Sequence, residues 1–370
     1  DTDVGNIPMI AVDAYGNFIP GPDRGLPQFV TTTGMVEGDT AAPVGEHHRV
    51  HVKAGDGCVG QHQVGHADSH IGQRVEIRRR LAAVAGLEVR SIPPDKRKDE
   101  TVRLGLMRQA DLVVLCLPDD AARQAVTLAN SLGKDAPKIV DASTAYRVAA
   151  DWTFGFAELA SGQAAAIRGA HRVSNPGCYS TGAIALLRPL VDAGLLPADF
   201  PVTINAVSGY SGGGRSMIEA YEAGQAPNFE LYGLGFEHKH LAETQLYSKL
   251  KVRPIFVPSV GNFRQGMLVS VPLHLDTLPG KPKAADLEAA LAAHFKGARL
   301  VGVVPAGDPS AKGGRLEAEA LNGTDRLELR VFASEKHRQA VLVAKLDNLG
   351  KGAAGAAVQN IGLMLGVTTH

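Results

Sequence analysis

The segment Ser174-Asn175-Pro176-Gly177-Cys178-Tyr179-Ser180-Thr181-Gly182 holds the strongest chemical signal in the chain. Proline and glycine make a turn just ahead of a cysteine. Ala183, Ile184, Leu186, Leu187, Leu190 and Val191 then follow helical apolar spacing. This order predicts Cys178 in the first turn of a buried helix. Backbone N–H groups and the helix dipole favour a thiolate there, and the thiolate is the nucleophilic form. Cys116 lies inside an apolar run and reads as a small buried hydrophobe instead. Two further segments carry chemistry. The polar, glycine-rich stretch Ser208–Arg215 (SGYSGGGR) combines N–H groups, hydroxyls and a guanidinium, which suit a phosphate or carboxylate. His238-Lys239-His240 offers imidazoles for acid or base work. Together the three describe thiol chemistry on an anionic acyl substrate.

A nucleotide signal comes earlier. Gly55-Asp56-Gly57-Cys58-Val59-Gly60 matches G-x-G-x-x-G and follows a strand expected at Arg49–Lys53. Its glycines would let backbone N–H groups approach a pyrophosphate. Residues 61–74 then intervene before the helix expected at Val75–Val84, so a glycine-rich surface loop fits the local text equally well. After the strand expected at Leu87–Ile92 no acidic residue stands ready for a ribose. Ser91 and the cluster Lys96-Arg97-Lys98 follow instead. Basic residues there suit the 2′-phosphate of NADP, and they also read as a solvated charge run. His62, His66 and His70 share a helical spacing that could bind a metal ion. Gly65 weakens that helix and no second liganding element is evident, so a loop without metal is the expectation.

The elements that must hold these groups follow from periodicity. Short apolar runs at Asp111–Leu117 and Lys138–Ala142 alternate with helical text such as Asp119–Ala129, which predicts a parallel sheet of βαβ units. Val202–Val207, Ile255–Val257, Met267–Leu273 and Leu327–Val331 alternate more and predict a separate mixed or antiparallel sheet. Gly352–Leu365 is Ala-rich and helical. Residues 1–45 are rich in turn dipeptides such as Pro20-Gly21-Pro22 and predict an extended arm. The chain has 370 residues, enough for about two domains. Its 38 basic and 38 acidic residues cancel, which argues against a nucleic-acid binder. No apolar run is long enough for a membrane span. Asp1 opens no signal-peptide pattern, and three scattered cysteines with no CxxC motif form neither a disulfide frame nor a zinc site. A cytoplasmic location is the expectation.

From about residue 75 onward the chain resembles N-acetyl-γ-glutamyl-phosphate reductases, in particular the compact form of that family. The resemblance is carried by SIPPDKRKDE, ADLVVLCLPDDAARQAV, IVDASTAYR, WTFGFAEL, SNPGCYSTGAIAL, VSGYSGGGR, HKH, PSVGNFRQGM and LDNLGKGAAGAAVQN. It implies an α/β fold similar to aspartate-semialdehyde dehydrogenase. A Rossmann-type parallel-sheet domain (46–172 with 345–370) would bind NADP, and an α+β catalytic and oligomerisation domain (173–344) would follow. The implied reaction is NADPH-dependent reduction of N-acetyl-γ-glutamyl phosphate through a thioester on Cys178, in arginine biosynthesis. His238 takes the acid/base role by its place in the H-x-H motif. Asn175, Ser143, Ser211, Arg215 and His240 are the implied substrate contacts. Gly57, Gly60, Ser91, Leu117, Pro118, Asn348, Lys351 and Gly352 are the implied cofactor contacts. A small-molecule substrate and a homo-oligomer are expected. The first 74 residues depart from the family, which leaves two alternatives. One is a related semialdehyde dehydrogenase with another acidic substrate; the other is a protein inactivated by its altered nucleotide loop.

Overall fold

The computed structural model describes residues 48–54 and 70–369, and for 48–54 the backbone alone. Gly57, Gly60, His62, His66 and the N-terminal arm lie outside the described residues. The described residues belong to one compact unit.

A parallel sheet forms the first half. Its strands are β1 (His48–Ala54), β2 (Leu87–Arg90), β3 (Leu112–Cys116), β4 (Lys138–Asp141), β5 (Thr153–Phe154) and β6 (Arg172–Ser174). Their spatial order is β2-β1-β3-β4-β6-β5, and every pairing is parallel. The strand expected at 49–53 is therefore real and central: Val50 pairs with Val89 on one side and with Leu112 on the other. The helix after it, α1, runs His70–Leu81. It starts five residues ahead of its expected position, so the interruption after the glycine loop is shorter than the apolar periodicity indicated. Both faces of this sheet are covered, which explains the unbroken apolar run in β3. Val113 and Leu115 pack with Ala122, Ala125 and Val126 of α3 (Asp119–Asn130), beside α2 (Glu100–Arg108). Leu112, Val114 and Cys116 pack on the opposite side with Ile77 of α1 and Ala357, Val358 and Ile361 of the last helix. A short helix, α4 (Gln163–Gly169), precedes β6.

The second half begins with α5 (Cys178–Asp192), whose apolar text is buried nearly all round. It lies against a seven-stranded sheet made of β7 (Thr203–Gly209), β8 (Phe229–Leu231), β9 (Ile255–Gly261), β10 (Met267–His274), β11 (Val301–Val303), β12 (Leu327–Ser334) and β13 (Gln339–Leu346). The order is β11-β12-β13-β10-β7-β9-β8, with β7–β9 and β11–β12 parallel and the other pairs antiparallel. This is the mixed sheet the alternating text predicts. In β10, Met267, Val269, Val271 and Leu273 are buried while the residues between them face outward. The inward set packs with Ile184 and Leu187 of α5 and with Leu291 of α8 (Ala284–His294). Three-residue β8 and β11 and the strand β13 had no expected counterpart. Helices α6 (Arg215–Glu222) and α7 (Leu241–Tyr247) carry the remaining site segments. The expected last helix divides into a π-helical turn, Gly350–Ala354, and α9, Gly355–Leu365.

Candidate active site

The nucleophile turn is built by the sheet strand that precedes it. β6 ends at Ser174, and the Asn175 N–H donates to Asp141 O at 2.7 Å. This bond ties the turn to the end of β4. Pro176 and Gly177 follow, and α5 opens at Cys178 with Gly177 as N-cap. Gly177 is there because nothing larger fits. A Cβ at that position would collide with His240 Nε2 and would lie 2.6 Å from Arg147 Nη1. The half-buried Cys178 does meet the Tyr179 N–H, as a helix start predicts, but its thiol is not held below the ordinary value. Burial pushes it up, Lys239, the Tyr179 N–H and Arg147 pull it down, and Glu243 pushes it up again. The expectation of a ready thiolate is corrected on this point: desolvation outweighs the helix terminus.

A histidine stands next to this turn. His240 is buried, and its ring lies over Gly177. Burial first, then the neighbouring His238, Arg147 and Lys239, drive its pKa well below the ordinary histidine value. Burial thus holds the imidazole in its neutral form and makes it a weaker base than an exposed histidine. His238 is packed against it with ring centroids 4.7 Å apart, and accepts the His240 backbone N–H at Nδ1 over 3.2 Å. Tyr179 and Phe256 hold His238 edge-on at 5.8 and 5.0 Å. Tyr179 is fixed in turn: its hydroxyl donates to Ser259 O at 3.0 Å, and Tyr232 donates to that hydroxyl at 3.1 Å.

Two charged residues of this site escaped the sequence reading. Glu243 sits one turn beyond His240 in α7, buried, with one oxygen 2.7 Å from Arg147 Nη1. Its other oxygen accepts the Gly177 N–H at 3.2 Å. Arg147 also donates from Nε to Asn175 O at 3.0 Å and from Nη2 to Ala142 O at 3.3 Å. The ion pair thus grips the nucleophile turn from behind. The signal was present in the text, because Arg147 ends the segment IVDASTAYR and Glu243 follows His240 by three residues. Neither residue looks catalytic without knowing that the two segments meet.

The expected substrate contacts divide. Ser211 is buried in the glycine-rich loop, where Asn348 Nδ2 donates to its Oγ at 2.9 Å. Asn348 Oδ1 accepts the Gly266 N–H at 2.8 Å, so this asparagine bridges two loops. Ser143 is fully buried, donating to Asp141 at 2.6 Å and accepting the Ala145 N–H at 3.1 Å. Asp141 is pushed up to about 6 by burial, with Ser143 and Arg147 opposing the rise. Arg215 stands apart: its half-exposed side chain reaches Glu219 at 3.6 Å. Asn175 is fully buried beside the nucleophile.

Parallel sheets of this kind bind ligands at the carboxyl ends of their strands. Ser91 follows β2, and Leu117 and Pro118 follow β3, with Pro118 as N-cap of α3. Among the described residues the buried Ser91 hydroxyl has no hydrogen-bond partner, which fits a ligand-facing group at this edge. Lys96 and Lys98 are exposed nearby in sequence. The π-helical turn approaches from the other side. The Gly352 N–H bonds to Asp347 O and the Ala354 N–H to Leu349 O, each at 3.0 Å and each spanning five residues. A Cβ on Gly352 would lie 2.9 Å from Cys178 Cβ, so only glycine lets this turn rest on the nucleophile. Lys351 points elsewhere: its ammonium is buried against Glu158 and Gln359, each at 2.6 Å. Its charge holds the Glu158 carboxyl below the ordinary value against the effect of burial. Among the described residues no cluster of three metal-ligating side chains occurs, and no helix is long and apolar enough to cross a membrane.

Residues 178–348 match the family described as semialdehyde dehydrogenase, dimerisation domain. The chain is 54% identical to the N-acetyl-gamma-glutamyl-phosphate reductase of Brucella ovis over 297 residues, 79% of this chain and 95% of that protein. The protein of the same name from Brucella melitensis biotype 2 matches to the same extent. Among solved structures, aspartate semialdehyde dehydrogenase II from Vibrio cholerae superposes with a TM-score of 0.59 at 15% identity, over 87% of this chain and 99% of that one. The aspartate semialdehyde dehydrogenase of Francisella tularensis gives 0.61 at 11% identity, over 86% and 100%. These structural likenesses show the fold. With the sequence identity over nearly the whole length of its relatives, they make the chain a member of the N-acetyl-γ-glutamyl-phosphate reductase family, within the semialdehyde dehydrogenase fold.

Proposed function

We propose that this enzyme reduces N-acetyl-γ-glutamyl phosphate to N-acetylglutamate 5-semialdehyde and phosphate, with NADPH as reductant and Cys178 as nucleophile, in arginine biosynthesis in the cytoplasm. One observation carries the reading. A cysteine opens a buried helix directly after a glycine packed against His240, and a glycine turn rests on it, in a chain whose relatives bear that name. An imidazole of the H-x-H motif takes the thiol proton as Cys178 Sγ bonds to the acyl carbon. The acyl–oxygen bond breaks, phosphate leaves, and a thioester remains. Bound NADPH would supply the hydride that turns the thioester carbon into an aldehyde and releases the thiolate. The protonated imidazole then neutralises the developing oxyanion or the departing sulfur.

The H-x-H motif supports His238 for this proton. A second reading, His240, is favoured by a specific observation: the His240 Nε2 lies against Gly177, next to the nucleophile. Ser211 and Arg215, with Ser143 behind them, would meet the phosphate and carboxylate of the substrate. Ser91, Leu117, Pro118 and Asn348 would line the cofactor, with Gly57 and Gly60 in the loop after β1. Lys351 would act there indirectly, by anchoring the turn that carries Gly352. The exposed Lys96 and Lys98, with no acidic residue at the end of β2, support NADP over NAD. Self-association through the domain at 178–348 fits exposed Phe229 and Leu231 on the edge strand β8.

The test runs the reaction backwards. Purified protein with N-acetylglutamate semialdehyde and phosphate is expected to reduce NADP, and Cys178→Ala is expected not to. Faster reduction with aspartate semialdehyde would move the substrate assignment to that class. No phosphate-dependent reduction with either aldehyde by a folded protein would overturn the reading.

A further inference from the structure

The last helix brings to the site a side chain that the chemistry above does not use. Asn360 of α9 is fully buried. Its Nδ2 donates to Gly155 O at 2.9 Å and to Asn175 Oδ1 at 3.1 Å. Asn175 Nδ2 in turn donates to Ala353 O at 2.9 Å. Ala353 belongs to the π-helical turn, directly after the Gly352 that rests on Cys178. Hydrogen bonds and one peptide link therefore run from the return helix to the nucleophile.

The chemistry of the two amides gives this chain a direction. An amide has a donor end and an acceptor end. Asn175 is met by a donor on one side and a carbonyl on the other. Turning it over would face N–H against N–H and oxygen against oxygen. Asn360 therefore decides which way Asn175 points, and only that orientation lets Asn175 hold Ala353. The turn needs holding. π-helical turns are rare and weakly bonded, and this one contains Gly350 and Gly352, which gain the most freedom when released.

We propose that Asn360 is a positioning residue: through Asn175 it fixes the π-helical turn that shapes the surroundings of Cys178. Asn175, with both ends of its amide engaged by protein, acts here as the hub of that device rather than as a direct substrate contact. The turnover arm of the test rests on the reaction proposed above. A second arm does not.

The variants are Asn360→Ala, Asn360→Asp, Asn175→Ala and the double alanine variant. Asn360→Asp keeps the shape and loses the amide donor, so it remains informative if the smaller side chain leaves a cavity that impairs folding. The expected result is a fall in kcat on the order of 10²-fold with both KM values nearly unchanged, as for a misplaced reacting group. The double variant is expected to lose no more than the worse single one, because one device has been removed. The independent arm is alkylation of Cys178 by iodoacetamide, read by peptide mass. It is expected to become faster in all four, with an unchanged pH midpoint in the alanine variants, since the turn shields the thiol and those changes alter no charge. Buried Cys116 is expected to stay unmodified, which excludes global unfolding. Unchanged kcat and unchanged alkylation in folded Asn360 variants, or losses that multiply in the double variant, would overturn the proposal. If the wild-type protein turns over no aldehyde, the functional reading falls while the alkylation arm still decides this one.

Discussion

The two sides of the cleft are built differently. Around Cys178 many polar groups already have protein partners: Arg147 meets Glu243, Asn175 and Ala142, Glu243 also takes the Gly177 N–H, and Asn175 spans Asn360 and Ala353. At the end of β2, on the proposed nucleotide side, the Ser91 hydroxyl is left without a partner among the described residues, while around Cys178 the exceptions are His240 Nδ1, Ser174 Oγ and Asn360 Oδ1. The first arrangement is preorganised for chemistry, since groups aimed in advance need no rearrangement during reaction. The second leaves capacity for a ligand to complete. The difference teaches that damage to each side should be read in a different kinetic parameter.

The sharpest break is Cys178→Ala. Turnover is expected to vanish while NADPH still raises Tm, because the nucleotide side is untouched and a ligand of the native state must stabilise it. Loss of both would mean that the two sides are not separable. Next come the histidines. His240→Asn is expected to lower kcat by about 10²- to 10⁴-fold, the usual range for a proton-transfer group. His238→Asn is expected to lose less, and the reverse order would return the role to His238. Glu243→Gln tests the preorganisation itself. Removing that negative charge is expected to move the alkylation midpoint of Cys178 to lower pH, because Glu243 now raises the thiol. Leaving Arg147 buried without its counter-charge is expected to cost about 3–5 kcal/mol of stability.

Asp141, whose carbonyl holds the Asn175 N–H, tests the Cys178 side through pH. Burial raises its folded value to about 6, above the ordinary aspartate value of 3.8. The stabilisation that goes with its proton is fully present below the unfolded value and is lost as pH rises through about 6. That interval corresponds to about 3 kcal/mol. Asp141→Asn is expected to remove this slope, with a Tm gain at pH 8 that is absent at pH 3.5; an equal effect at both pH values would refute it. The smallest effect is expected at Ser91→Ala. One neutral hydrogen bond to the cofactor predicts a nucleotide KM about 3- to 10-fold higher, with kcat unchanged. A fall in kcat there would erase the distinction between the two sides.

The sequence by itself determined much of the local structure. The Pro-Gly turn before Cys178 and the apolar spacing after it specify a buried helix with a cysteine at its start. The unbroken run of β3 specifies a strand covered on both faces, and the alternation of β10 a strand covered on one. These are short-range properties, written in residue order. Tertiary structure decided the rest. The thiol is raised rather than lowered because burial depends on what packs over a helix end. Lys351 and Glu158 meet although they are far apart in the chain. Arg147, Glu243 and Asn360 enter the site only because β4, α7 and α9 converge on one turn. The last expected helix carries a π-helical turn because Gly352 must rest on Cys178. Contacts between distant segments, and the desolvation they impose, leave no periodic trace in the segments themselves.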